Sequence, residues 1–516
     1  MLSLNFFWAL KIKPIYIAYY FLGVLGVLFG LLFLSSKSEK GNLELPKEEG
    51  FNIAGLFIKY PNAQSFFSSQ VDSTQLEESI DKMVASITPL DDTTKVVVDS
   101  TSAIDSAKKK VVIPNLSKID YKTLVRIRYP KQDTSFTADL HSAFMSKKCR
   151  ILHYGDSQIE GDRITAYLRN RLQKMYAGGG PGFIPIKQVY HQISAEVSCS
   201  DNWLRYALFD PSNYKKTPHK KYGAFLSLSR FTPMLAKDDS TDLDSLPTSK
   251  ANIVIGKSKR YYRKLKDFTH VGLHYGNVKS PTSIKCYNEG ILIKSDSLKK
   301  DTLYHEFSLD LPKTPDSLRI VLESKISPDF YGLTLEKSSG IQMDNIAMRG
   351  NSGTVFTKNS WQNFSRMGRH LNPKVVILQF GGNTVPYMKD SSRVRWYAKN
   401  LARQFDRIRS TLGKNIKILF LGPTDLCTSV NGEMVTYPIL PYLNEQLEKK
   451  CLENKVAYWS VFDAMGGEGS MAVWAEKGLV ADDFVHFSSS GTKIISELFF
   501  TTLYLDLKPH ITNETL

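Results

Sequence analysis

The run Cys149-Arg150-Ile151-Leu152-His153-Tyr154-Gly155-Asp156-Ser157-Gln158 decides the fold. Its first six residues, Cys149–Tyr154, read as a short buried strand. A turn follows, and then Ile164, Leu168, Leu172 and Met175 recur at helical spacing. Strand, tight turn and amphipathic helix open an α/β unit. Further along, Val375–Phe380 and Ile416–Leu421 are continuously apolar, as parallel strands covered on both faces should be. Ile494–Leu505 fits a closing helix. Apolar strands alternating with helices predict a parallel sheet between helical layers.

The middle of the chain has another rhythm. Short runs of β character (Ala224–Leu228, Ile253–Ile255, Val271–His274, Ile284–Tyr287, Ile291–Ile293, Leu318–Leu322) are separated by Asn, Gly, Pro and Asp. That pattern predicts a β-sandwich over 191–340, inserted between two parts of the α/β domain at 131–190 and 341–516. No internal repeat is visible.

At the start, Ile15 to Leu34 carries no charged residue. Twenty helical residues at ~1.5 Å each span ~30 Å, the thickness of the bilayer hydrocarbon. Residues 1–36 are therefore expected to be a cytoplasmic N-terminus and a transmembrane helix. Tyr16, Tyr19 and Tyr20 would lie near one interface, and Lys11 and Lys13 would stay on the cytoplasmic side. The competing reading is a cleaved signal peptide, whose apolar core is usually shorter, at about 7–15 residues. Either one places the rest of the chain in the periplasm or outside the cell. Residues 37–130, rich in Ser, Thr, Asp and Lys between Ser68 and Lys110, are expected to be a flexible tether.

Hydrophobic residues make up 42% and charged residues 23%, which excludes wholesale disorder and a many-span transporter. The 67 Lys and Arg exceed the 51 Asp and Glu, a net +16 that suits an anionic neighbour. The five cysteines have no metal-ligand spacing, so no structural zinc is expected. Lys257, Lys259, Arg260, Arg263, Lys264 and Lys266 crowd around Tyr261 and Tyr262. Such a cluster suits an anionic glycan or an ordinary solvated hairpin; export argues against nucleic acid. Trp203, Trp361, Trp396, Trp459 and Trp474 are candidates for stacking on sugars or for core.

Three segments carry chemistry. Ser157 follows a strand and precedes a helix, at the sheet edge where α/β sites form and where free N–H groups favour negative charge. Phe380-Gly381-Gly382-Asn383 follows a second strand and reaches the same edge. Asp482-Asp483-Phe484-Val485-His486 lies before the last helix, and an Asp three residues ahead of a His can orient its imidazole. Each alone is also an ordinary turn or loop.

In this order the three resemble the SGNH (GDSL-like) hydrolases, a family of esterases and acyltransferases. The resemblance covers about 145–190 and 340–505. It implies a three-layer α/β/α fold with Ser157 as nucleophile, His486 as general base and Asp483 as its orienting acid, Asp482 being the alternate. It makes Asn383 and the N–H of Ser157 oxyanion donors, together with a glycine in Met348–Thr354: Gly353, or otherwise Gly350. Gln158 stands where Leu is common, and Thr384 where Asp is frequent. Gly161-Asp162, Leu168-Arg169, Gly178–Phe183, Ala464–Gly467, Ser470-Met471 and Trp474 resemble the peptidoglycan O-acetylesterase branch, some of whose members carry a carbohydrate-binding sandwich at this place. The implied activity is serine-dependent removal of acetyl groups from a glycan, with no metal or organic cofactor. The alternatives are an O-acetyltransferase or deacetylase for another envelope polysaccharide, or a non-catalytic glycan-binding protein.

Overall fold

The computed structural model describes residues 14–35, 50–53, 56–59, 73–86, 111–114, 116, 124–209, 215–235, 245–258, 262–430 and 433–513. The chain divides into two units, Met1–Ser73 and Thr74–Leu516. In the first, Pro14–Ser35 is a helix, and Gly50–Ile53 pairs antiparallel with Leu56–Lys59. The side chains described in that helix, Ile15–Val27 apart from Ile17, are exposed. Among the described residues no helix is long and apolar enough to cross a membrane. Residues 1–13 of the expected cytoplasmic end lie outside the described residues.

The second unit is built on five parallel strands: β1 Lys148–Gly155, β2 Gly340–Ala347, β3 Pro373–Gln379, β4 Lys417–Leu421 and β5 Ala457–Trp459. They lie in the order β2-β1-β3-β4-β5. Ala347 pairs with Gly155, and Gly155 with Gln379, so β1, β2 and β3 end level at their C-termini. Val375, Val376, Ile377 and Leu378 are all buried, which explains why β3 reads as an unbroken apolar run. Helix α1, Arg163–Tyr176, turns Ile164, Leu168, Leu172 and Met175 inward. It packs beside α2, Ser489–Asn513, the closing helix. Strand β2 went unnoticed in the sequence because its Gln342, Asp344 and Asn345 break the apolar run; all three are buried and hydrogen-bonded.

Arg169 of α1 is fully buried and binds Asp162 twice, from Nη1 at 2.8 Å and from Nη2 at 3.0 Å. Asp162 sits at φ 66°, in the left-handed region, at the joint between the turn after Ser157 and α1. A buried pair of this kind holds its geometry only while both partners are present.

Between α1 and β2 the chain makes two packed antiparallel sheets. One has the order Ile291–Ser297, Ser283–Asn288, Ser317–Ser324, Ser249–Gly256, Glu196–Cys199. The other has the order Tyr304–Asp310, His270–Gly276, Asp329–Glu336, Ser227–Arg230, Leu204–Ala207. Alternate residues such as Ile253, Ile255, Leu273, Ile320 and Leu333 meet in the space between them. The sandwich begins earlier than its expected start at 191, because Gly182–Ile184 already pairs with Leu333–Leu335.

Residues 37–130 are not one uniform tether. Ser73–Ser86 is a helix whose Ile80 is buried in the α/β core, while Lys477 pairs with Asp81 at 2.7 Å. Leu76, Ile80, Met83 and Val84 give this polar stretch one apolar stripe, which the core covers. Leu116 and Ile127 are buried too, and Arg128 bridges antiparallel to Tyr458 on β5. Of the tether, residues 37–49, 54–55, 60–72, 87–110, 115 and 117–123 lie outside the described residues.

Charged groups fill the junction between sandwich and sheet. Lys148 and Arg150 of β1 both bind Glu336 of the sandwich, and Arg150 also binds Asp344 at 2.7 Å. Glu306 receives His370 from the α/β side and His270, at 3.1 Å, from its own sheet. His270 Nδ1 faces Asp310 at 2.8 Å. With a carboxylate at each nitrogen the imidazole is held as a cation. The Glu306 hydrogen bond, over the opposing effect of burial, lifts its pKa to about 9.

Candidate active site

Three loops leave the C-terminal ends of β1, β2 and β3 on one edge, and a fourth, ahead of α2, folds over them. Asp156 turns the chain away from β1: its Oδ1 accepts the N–H of Gln158 at 3.0 Å and caps a short 3-10 turn, Ser157–Asp162. This places the Ser157 hydroxyl at the edge, where it donates to His486 Nε2 at 2.7 Å. His486 Nδ1 donates to Asp483 Oδ2 at 2.6 Å. Asp483 Oδ1 accepts the N–H groups of Val485 and His486, each at 2.9 Å. Partial burial would raise the Asp483 pKa, but the His486 ring and these N–H donors hold it below the usual carboxylate range. The acid that meets the imidazole is thus Asp483 and not Asp482.

Asn383 lies in the loop after β3. Its Nδ2 donates to Asp156 Oδ2 at 3.1 Å and to the backbone carbonyl of Asn351 at 3.2 Å. Burial of Asp156 pushes its carboxyl up to about 7, although the N–H of Gln158 and the amide of Asn383 both favour the ionised form. Gly353 is buried at φ 78°, and a Cβ there would stand 2.7 Å from the Phe380 ring. Its N–H departs from expectation, since it is donated to Asn351 Oδ1 at 2.8 Å. Gly350, at φ 72°, has open space around its Cα. Asn351, which the sequence did not single out, therefore accepts from two of the three expected donors, Gly353 and Asn383. Neither can serve an oxyanion until Asn351 is exchanged for it.

Beside Ser157 and Asn383 runs a cleft of about 230 Å³. Phe380, Pro386, Tyr387, Pro423, Leu426, Tyr437 and Val485 line it. Cys427, which opens the hairpin Cys427–Val430/Glu433–Thr436, lines it too. Buried Asp425 anchors that hairpin by accepting from Thr436 Oγ1 at 2.8 Å and from the N–H of Met471 at 2.8 Å.

Other sequence candidates lie elsewhere. Trp203, Trp459 and Trp474 are core, whereas Trp361 and Trp396 are exposed. Of the basic cluster, Arg263–Lys266 forms a 3-10 turn rather than a hairpin, and Tyr262 packs its ring on Tyr167 of α1. Lys259, Arg260 and Tyr261 lie outside the described residues. Among the described residues no group of three or more His, Cys, Asp or Glu could hold a metal ion.

A parallel sheet in the order β2-β1-β3-β4-β5, with the serine after β1, the asparagine after β3 and the Asp-x-x-His loop before the last helix, is the SGNH-hydrolase fold. A solved peptidoglycan O-acetylesterase shares it, with 20% identity, 74% of this chain and 99% of that one covered, and a TM-score of 0.54. Two weaker likenesses are a family two carbohydrate esterase from Clostridium thermocellum in complex with cellohexaose and a salicylyl-acyltransferase from a tetracycline biosynthetic pathway. The first is 10% identical, with 52% and 97% of the two chains covered and a TM-score of 0.23. The second is 13% identical, with 59% and 96% covered and a TM-score of 0.26. No protein-family model and no curated protein matches the chain.

Proposed function

We propose that the protein is a serine O-acetylesterase acting on a cell-wall glycan, peptidoglycan first among candidates, and held at the membrane by its N-terminal helix. The observation that carries the catalytic part is the unbroken line from Ser157 Oγ through the His486 ring to Asp483, at 2.7 and 2.6 Å. His486 takes the hydroxyl proton as Ser157 attacks the ester carbonyl, and Asp483 holds the imidazole in the required tautomer and favours its cation. The negative charge that develops on the carbonyl oxygen competes with the neutral Asn351 carbonyl for Asn383 Nδ2. A charged acceptor makes the stronger hydrogen bond and displaces it. The collapsing intermediate expels the sugar oxygen, which takes the proton from His486. Water then attacks the acetyl-enzyme by the same route in reverse. A sugar hydroxyl in the place of that water would transfer the acetyl group instead.

The likeness to a solved peptidoglycan O-acetylesterase, the inserted sandwich and the cleft beside Ser157 support a glycan ester as substrate. The uncharged, apolar sequence from Ile15 to Leu34 is what supports the anchor and an exported catalytic domain. The decisive experiment is acetate release from O-acetylated peptidoglycan by the wild-type chain and by Ser157→Ala. Release by the wild type and none by the folded variant is expected. Equal release by both would dismiss the nucleophile, and acetylated acceptor accumulating faster than free acetate would make the protein a transferase.

A further inference from the structure

His486 reaches Ser157 from a loop 329 residues further along the chain, and its imidazole bond is not the only tie between the two. Gln158, next to the serine, donates from Nε2 to the carbonyl of Val485 at 2.6 Å. Arg163, at the start of α1, donates from Nη1 to the carbonyl of Phe487 at 3.0 Å. Its other nitrogens stay on the serine side: Nη2 donates to the carbonyl of Ser157 at 2.9 Å, and Nε to that of Glu160 at 3.1 Å. The carbonyl between, that of His486 itself, accepts the N–H of Ala481 at 2.7 Å. All three carbonyls in a row are therefore engaged, the outer two by side chains of the serine segment.

We infer that Gln158 and Arg163 are positioning residues that clamp the peptide groups on either side of His486 and so set the distance between the base and the serine hydroxyl. Besides these two, the hydrogen bond described between the histidine loop and the serine segment is that of Ser157 to His486, which must break and re-form during the reaction. The forked guanidinium suits this work because one rigid plane holds the Ser157 and Phe487 carbonyls at a fixed spacing, which the rotatable donors of a lysine ammonium do not. Gln158 occupies the position at which Leu is common in the resembling family, and a Leu has no donor to offer Val485. Arg163 does not line the cleft beside Ser157; Gln158 does, but its amide nitrogen is given to Val485, so binding should survive the loss of either side chain.

This inference rests on the serine-hydrolase reading, and the test separates the two. The full-length chain and the variants Gln158→Met, Arg163→Met and Arg163→Lys are reacted with a fluorophosphonate and with 4-nitrophenyl acetate. The labelling endpoint counts folded sites, and the labelling rate measures how well the serine is activated. Expected are full endpoints and a labelling rate and kcat that fall together, by about tenfold or more in Arg163→Met and severalfold in Gln158→Met, with KM within about twofold. Arg163→Lys should recover part of the loss. Gln158→Met is the safer variant for folding, because the buried Oε1 of Gln158 has no hydrogen-bond partner and its removal leaves no donor unmet. Should Arg163→Met fail to fold, Gln158→Met decides alone. Unchanged labelling rates at full endpoint overturn the clamp and leave the hydrolase reading standing. A wild-type chain that neither labels nor turns over overturns both.

Discussion

Asp156 Oδ2 lies 3.1 Å from Asn383 Nδ2, so a buried acid one residue before the serine fixes which way the Asn383 amide faces. Because Oδ1 of the same carboxyl accepts the N–H of Gln158, the side chain is held at both ends. In Asp156→Asn the new amide keeps its oxygen on Gln158 and turns its nitrogen toward the Asn383 nitrogen, donor to donor. The Asn383 side chain must then rotate. A fall in kcat of about ten- to a hundredfold is expected on an acetyl ester, with KM little changed, read by steady-state kinetics.

The same carboxyl makes a prediction about pH. Its folded pKa, about 7, stands above its ordinary 3.8, so the fold favours the protonated form. The stability it contributes is complete below the unfolded value and is lost as pH rises through about 7. Urea midpoints between pH 4.5 and 8 should therefore decline more in the wild type than in Asp156→Asn. Parallel curves would show that the acid is ionised throughout.

Asn383→Ala removes a donor from the site and one partner from Asp156. Loss of a single oxyanion donor typically lowers kcat by roughly 10²–10³-fold, about 3–4 kcal/mol. That loss is expected here with the fluorophosphonate endpoint preserved, since the serine, histidine and Asp483 remain in line. A kcat near that of the wild type would remove Asn383 from the chemistry.

Arg169→Met leaves Asp162 buried with its main cationic partner gone, at the joint that carries Ser157 into α1. Breaking a buried pair in this way costs about 3–5 kcal/mol. Chemical denaturation should show that loss with an unchanged m-value. A loss under about 1 kcal/mol would mean that Ser194, which also donates to Asp162, satisfies it alone.

His270 gains its charge from Glu306 and Asp310, so its contribution has the opposite origin but the same sign. Its folded pKa of about 9 lies above the ordinary 6.5. The stabilisation is fully present below about pH 6.5 and fades as pH rises through 9. Because Glu306 also binds His370 across the junction, Tm should fall between pH 7 and 9.5 in the wild type. The decline should be shallower in His270→Gln, and identical slopes would dismiss the cation.

Much of the site was legible because its parts are local. Gly-Asp-Ser after an apolar strand, Gly-Gly-Asn after another and Asp-x-x-His before a closing helix each place a side chain at a strand or helix end, and chain order did the rest. Asn351 was not legible. Its effect is to occupy the Gly353 and Asn383 donors, at 2.8 and 3.2 Å, a matter of which carbonyl and which amide the fold brings together, and no spacing records that. Strand β2 was hidden for a related reason: its buried Asp344 and Asn345 satisfy partners far away in sequence, Arg150 and the Ile159 carbonyl.

The sequence by itself determined the parallel sheet, the intervening β-domain and the residues able to form a nucleophile, a base and an acid, because apolar periodicity and strand-end turns are properties of short segments. Only the tertiary structure decided that Asp483 rather than Asp482 meets His486, that Ser73–Ser86 lies against the core, and that Gln158 and Arg163 grip the histidine loop. These are distances between segments that the chain brings together only when the whole core closes, and packing, not local preference, sets them.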